Sequence, residues 1–167
     1  MNTRERCISH KELLERIIYD PATGIFTWRR DGYRRKVKAG DVAGFDKGNG
    51  YWQLSFNKVK YNAHRVAWFY IHGVWPEHDI DHVNGNRADN RIANLRSVTR
   101  SVNLQNRRSA RKTAKIGLLG VSRCGRRYYA QISAGGVRYH LGRFDTPELA
   151  HAAYVHAKRK LHAGCTI

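Results

Sequence analysis

Asp81 and His82 are neighbours in the chain, and Asn94 and Asn103 follow at short intervals downstream. A carboxylate, an imidazole and two carboxamides in this order can together hold one divalent cation and activate a water. Oxygen donors such as Asp81 and Asn103 suit Mg²⁺ or Mn²⁺, which keep several waters and accept phosphate oxygens at their remaining positions. His82, with an unperturbed pKa of about 6.5, supplies free base near neutral pH. Asn94 is expected to hold the imidazole through its other nitrogen and fix its tautomer. Asn84, Asn86 and Asn90 lie in Asn-Gly-Asn-like surroundings and are read as turn formers. Asn94 or Asn103 taken singly would pass for a cap or a solvated side chain. Their joint spacing with Asp81 and His82 carries the chemical reading.

The charge balance names the partner class. Of 167 residues, 31 are Lys or Arg and 13 are Asp or Glu, a formal net charge of +18. Such a surface gains strong, salt-sensitive affinity for polyanions by releasing condensed counterions, and double-stranded DNA is the expected partner. Hydrophobic content of 41% is enough for a buried core. No apolar run approaches the roughly 20 residues a membrane span needs, so no membrane partner is expected. Residues 1–10 lack the apolar stretch of a secretion signal. Cys7, Cys124 and Cys165 fit neither a disulfide framework nor a zinc knuckle. These features predict an intracellular protein, in the cytoplasm of a bacterial or phage-infected cell.

The elements that must position these groups are legible in outline. Ser9 to Glu12 has the capping-box pattern and predicts a helix with Leu13, Leu14, Ile17 and Ile18 on one face, stopped at Asp20 to Gly24. A strand over 25–28 precedes a basic loop over 29–38. Gly48-Asn49-Gly50 introduces a hairpin of 51–56 with 59–63. Residues 64–72 predict a helix ended by Gly73. Its histidines, His64 and His72, lack a nearby carboxylate and are read as packing or phosphate contacts, and Trp52, Trp68 and Trp75 as core. Strands are expected over 80–83 and 95–98, with Thr99 capping a helix that contains Asn103.

Residues 107–116 hold five positive charges with little apolar periodicity and read as a basic linker. Beyond it, segments 117–123, 126–133 and 137–144 predict three strands. Thr146-Pro147-Glu148 opens a helix with Leu149, Ala150, Ala153, Ala157 and Leu161 as its apolar face. Residues 107–167 carry 13 Lys or Arg against 2 Asp or Glu, so +11 of the total charge lies here. Alternation along the strands turns Tyr128, Ala130, Ile132, Tyr139 and Leu141 toward the helix. It turns Arg127, Tyr129, Gln131, Ser133, Arg138 and His140 outward.

Two resemblances sharpen this reading. Ala63 to Trp68, Ile80 to Asn86, Asp89-Asn90-Arg91, and Asn94-Leu95-Arg96 with Asn103 resemble the HNH homing endonucleases of phages, over about residues 12–107. The resemblance implies a ββα-metal fold with Asp81 and Asn103 as ligands of one Mg²⁺ or Mn²⁺. It also implies His82 as general base and Asn94 as the residue orienting it. Asn103 stands where much of the wider family has His, which favours Mg²⁺ or Mn²⁺ over a zinc-like site. Gly120 to Arg123, Tyr128 to Ile132, and His140 to Thr146 with the following helix resemble the plant ethylene-response-factor type DNA-binding domain, over about residues 117–164. That domain lays a three-stranded sheet in the major groove. Here Arg138 matches a contacting Arg, His140 replaces a contacting Trp, and Ser122 replaces a reading Arg.

The expectation is an α+β protein. A ββα-metal nuclease module over residues 1–106 (catalytic core about 59–106) leads through the 107–116 linker to a three-stranded antiparallel sheet packed on one helix over 117–167. Its expected activity is site-specific, metal-dependent DNA cleavage, as a monomeric phage-type homing enzyme that nicks. Arg123, Arg127, Tyr129, Gln131, Arg138 and His140 are the expected DNA contacts. The alternative is a non-catalytic, sequence-specific DNA-binding regulator.

Overall fold

The computed structural model describes residues 7–32, 37–110 and 114–166. Residues 33–36 of the basic loop and 111–113 of the basic linker lie outside the described residues. The chain is a mixed α+β structure that divides into two compact units, one running to Thr99 and one from Arg100.

In the first unit, α1 (His10–Arg16) begins at Ser9, whose hydroxyl accepts the Glu12 N–H at 3.2 Å. The helix ends earlier than the periodicity predicts. Ile17 is not helical but opens β1 (Ile17–Tyr19), which pairs antiparallel with β2 (Phe26–Trp28). Leu13 and Ile17 are buried in either conformation, because an i, i+4 pair does not distinguish a continuing helix from a helix running into a strand. Ile18 settles the matter: it alternates outward between buried Ile17 and Tyr19 and is 44% exposed.

A second sheet has the order β3 (Phe45–Asp46), β4 (Trp52–Phe56), β5 (Val59–Asn62). It runs directly into α2 (Ala63–His72), which Gly73 ends in the left-handed conformation. Leu13, Ile17, Phe26, Leu54, Phe56, Val66 and Ala67 form the core, with Trp75 buried against it and Trp52 and Trp68 at its margin. On this base stands an antiparallel pair, β6 (Asp79–His82) and β7 (Leu95–Val98).

The second unit opens with α3 (Arg100–Gln105). Gln105 Oε1 accepts the Gly164 N–H at 3.1 Å, and Arg108 donates to the Thr166 carbonyl and hydroxyl at 2.9 and 2.7 Å. Lys158 donates to the Arg107 carbonyl. These ties fasten the start of the basic linker to the end of the chain, which is why the contact boundary precedes α3 rather than following it. The strands β8 (Val121–Cys124), β9 (Arg127–Ala134) and β10 (Val137–Phe144) form an antiparallel sheet in the order β10-β9-β8.

On that sheet packs α4 (Pro147–Leu161), capped by Thr146, whose hydroxyl accepts the Leu149 N–H. The buried face of α4 is Ala150, Tyr154, Ala157 and Lys158. Leu149 and Leu161, expected inward, are 55% and 39% exposed. Tyr154 takes the central position because Gly120 opposite has no side chain: a Cβ there would lie 1.9 Å from the Tyr154 ring.

Gly24 links β1–β2 to the loop between β6 and β7. Its φ is +75°, and a Cβ would fall 2.5 Å from Arg91 N and 2.6 Å from Asn90 C, both backbone atoms. Gly24→Ala is therefore expected to destabilise the fold by about 3 kcal/mol, combining backbone strain with a displaced loop. Urea unfolding tests this; a loss under about 1 kcal/mol would show that the loop yields freely.

Candidate active site at the β6–β7 hairpin

Asp81 and His82 end β6, opposite Arg96 and Leu95 of β7. Facing residues on paired strands share a side of the sheet, so Arg96 reaches Asp81: its Nε and Nη2 donate to Oδ2 at 3.1 and 2.9 Å. The Asp81 side chain is 9% exposed. A guanidinium facing a carboxylate this buried satisfies its oxygen with charge-assisted hydrogen bonds. His82 is buried and its pKa is lowered, first by burial. Its Nε2 lies 3.4 Å from Asn90 Oδ1. A carbonyl oxygen facing Nε2 selects the Nε2–H tautomer and makes Nδ1 the basic nitrogen.

Asn94 does not hold the imidazole directly, as the sequence reading expected. Its Oδ1 accepts the Asn84 N–H at 3.0 Å and its Nδ2 donates to the Asp89 carbonyl at 2.8 Å. Both ends of the amide are thereby committed to backbone, and Asn90 faces the ring instead. Buried backbone groups need partners, and a loop of irregular conformation must find them in side chains. The same need explains Asn84 Oδ1 and Asn86 Oδ1, which accept the Asn86 and Ala88 N–H groups. Asp89 accepts from Arg91 and from Asn84 Nδ2, and the Arg91 bond foremost lowers its pKa to about 2. From beneath, the Tyr19 hydroxyl donates to the Asn90 carbonyl at 2.7 Å.

Sequence reasoning read His64 as a packing or phosphate contact and left it outside the candidate site. From the first turn of α2, its ring meets that of His82 edge-on at 5.1 Å between centroids, and the Tyr51 ring at 5.4 Å. Burial first, and then the charge on His82, hold its pKa at about 3, so it is neutral at any ordinary pH. Its Nδ1 is buried without a hydrogen-bond partner. The signal was present in the polar His64 next to Ala63 on the buried face of an otherwise apolar helix. Arg65, beside it, donates to the Pro76 and His78 carbonyls at 2.8 and 3.0 Å and so steers the chain into β6. His72 lies apart, against Trp68.

Asn103 is half-buried on α3 in the second unit. Among the described residues no three His, Cys, Asp or Glu side chains converge on a point, so these residues do not build a closed zinc-type cage. Asp81 offers a carboxylate at the hairpin, and a hydrated Mg²⁺ or Mn²⁺ needs only one or two carboxylates with water and substrate phosphate.

In the second unit, strand register separates two faces. Val121 and Arg123 stand opposite Ala130 and Tyr128, on the side that carries α4. Ser122 and Cys124 stand opposite Tyr129 and Arg127, on the outer side. Arg123 is thus not on the same face as Tyr129, Gln131, Arg138 and His140, and its Nε donates to the Gly125 carbonyl. Arg127 pairs with Asp145 at 2.8 Å, both exposed. A bulge between His140 and Gly142 shifts the β10 register, bringing Arg143 opposite Tyr129. Arg143 was missed because strict alternation does not anticipate the bulge. Tyr129, Gln131, Arg138, His140 and Arg143 border a cavity of about 520 Å³ on this outer face. Tyr139, expected inward, is 40% exposed because β10 is an edge strand.

A family model described as HNH endonuclease matches residues 61–105. The matched segment runs from β5 through α2, β6, the clasped loop and β7 to the end of α3. No curated protein and no solved structure matches the chain. Residues 61–105 are thus similar to the HNH endonuclease family, over well under half of the chain.

The buried imidazoles impose a pH dependence on stability. His64 has a folded pKa of about 3 against 6.5 unperturbed, and that of His82 is lowered too. Between these values the unfolded chain binds more protons than the folded one. Stability is therefore complete above pH 6.5 and falls as pH drops, by about 1.4 kcal/mol per unit for His64, with His82 acting in the same direction. His64→Leu is expected to flatten this slope in urea unfolding between pH 4.5 and 7.5. An unchanged slope would show that His64 is not buried neutral.

Proposed function

We propose that this protein is a site-specific, divalent-metal-dependent DNA endonuclease of the phage homing type. The observation that carries the reading is a neutral, buried His82 beside the Arg96-paired Asp81, on a hairpin whose loop is fastened by Asn94. Among the described residues no helix is long and apolar enough to cross a membrane.

The chain's residues divide the work. Asp81 and, by its place in the motif, Asn103 would hold one Mg²⁺ or Mn²⁺. When bound, such an ion stabilises charge on the scissile phosphate and on the leaving oxygen. His82 takes a proton from the attacking water; burial keeps it unprotonated at neutral pH and so available as a base. Asn90 holds the ring through Nε2. Arg96 pairs with Asp81 and fixes its rotamer. His64 forms an uncharged wall behind the imidazole. The outer face of the β8–β10 sheet, resembling that of an ethylene-response-factor type domain, offers Arg138, Arg143, His140, Gln131 and Tyr129 to the DNA groove. One such catalytic set serves one strand, so a monomer leaves a nick.

On supercoiled plasmid with Mg²⁺ or Mn²⁺, His82→Ala and Asp81→Asn are expected to abolish nicking, with DNA affinity within a fewfold of wild type. His82→Ala cleaving at the wild-type rate would remove His82 from the mechanism. Binding without cleavage by the wild-type protein would point to a DNA-binding regulator instead.

Arg138→Ala is expected to weaken binding and to reduce the salt slope of log K by about 1, as loss of one phosphate contact requires. An unaltered slope and affinity in fluorescence anisotropy would exclude this face as a DNA contact.

A further inference from the structure

Arg87 projects from the loop between β6 and β7 and is exposed. Its guanidinium lies over the Tyr51 ring, 4.9 Å from the centroid, and its Nη1 donates to the Asn49 carbonyl at 3.3 Å. Gly50, with a φ of +82°, lets this turn pass close to the Arg87 stem. The Tyr51 ring in turn stands 6.1 Å from the His82 ring.

The other two arginines near the loop are already committed, Arg91 to Asp89 and Arg96 to Asp81. Among the described residues Arg87 has no carboxylate partner. A guanidinium stacked on an aromatic ring keeps its edge donors available, and stacking removes rotamer freedom before a ligand arrives. An exposed guanidinium, held in place and without a carboxylate partner, is suited to an anion. Phosphate is such an anion.

We infer that Arg87, held on Tyr51, binds the non-bridging oxygens of the phosphodiester that His82-activated water attacks. The inference rests on the nuclease reading above. In the step it assists, the water oxygen forms the new P–O bond, the bond from phosphorus to the leaving oxygen breaks, and the water proton passes to His82. The leaving oxygen takes a proton from solvent. Arg87 meets the charge that gathers on the phosphate oxygens as the bonds exchange. The sources of fixation are local: the Asn94 clasp holds the loop, and Asn49 and Tyr51 hold the side chain.

The full-length chain is tested as wild type, Arg87→Ala, Arg87→Lys and Tyr51→Leu. Plasmid nicking with Mg²⁺ gives kcat and KM. A ¹⁵N NMR titration with a short mixed-sequence duplex, without metal, follows the Arg87 Nε–H signal, assigned by its loss in Arg87→Lys. Arg87→Ala is expected to lower kcat about ten- to a hundredfold, the worth of charge-assisted hydrogen bonds made at the phosphate. KM should stay within about threefold, because the basic surface elsewhere dominates binding. Arg87→Lys, keeping the charge but not the fork, and Tyr51→Leu, losing the ring that carries the guanidinium, should fall between. The Arg87 Nε–H signal should shift saturably with duplex.

The inference is overturned if Arg87→Ala nicks at the wild-type rate while His82→Ala is inactive, or if the Nε–H signal is unmoved at saturating duplex. A wild-type protein that fails to nick while that signal shifts would defeat the nuclease reading and leave the phosphate contact standing.

Discussion

The amide of Asn94 ties together the two ends of the loop between β6 and β7, and the geometry around Asp81 and His82 depends on it. The loop is too long for a tight hairpin turn, so its backbone groups need partners the ladder cannot supply. Asn94 provides one acceptor for Asn84 and one donor for Asp89, while its own carbonyl accepts the Val83 N–H at 2.9 Å. Each such bond contributes only about 1 kcal/mol net, but a buried group left unpaired costs about 1–3 kcal/mol. That asymmetry makes the clasp all-or-none. Asn90 faces His82, and Arg87 reaches Tyr51, because the loop between the two ends has one conformation.

Electrostatics separates the interior of this site from the surface around it. The chain carries +18 overall, yet the two buried histidines add nothing to it. His64 and His82 are neutral because burial disfavours their charged forms, and Asp81 and Asp89 are each balanced by an arginine. A strongly basic surface draws in a polyanion by counterion release, whereas a protonated imidazole would be useless for taking a proton from water. Burial reconciles the two demands. It keeps His82 neutral beside the positive charge of Arg87.

In the second unit the controlling feature is a single extra residue. The bulge at Leu141 breaks the alternation of β10 and turns Arg143 to the face that carries Arg138 and His140. Gly142, at a φ of +119°, is the residue type that accepts the local conformation. The helix side of the same sheet is closed by Tyr154 against Gly120, so polar and apolar surfaces divide cleanly across one layer.

The sequence by itself determined the chemistry on offer and most of the elements. Asp81, His82, Asn94 and Asn103 were legible because residue type and spacing are local properties, as were the caps at Ser9 and Thr146 and the stop at Gly73. Which amide touches which ring was decided only by the tertiary structure. Asn90 and Asn94 are the same residue type four apart, and nothing local distinguishes the one that faces His82 from the one that clasps the loop. His64 became part of the site because α2 packs beneath β6, a contact no sequence window contains. The end of α1 at Arg16 and the side of the sheet on which Arg123 stands were likewise set by strand pairing. Spacing states which groups are available; only packing, which buries some of them and pairs others, states what each one does.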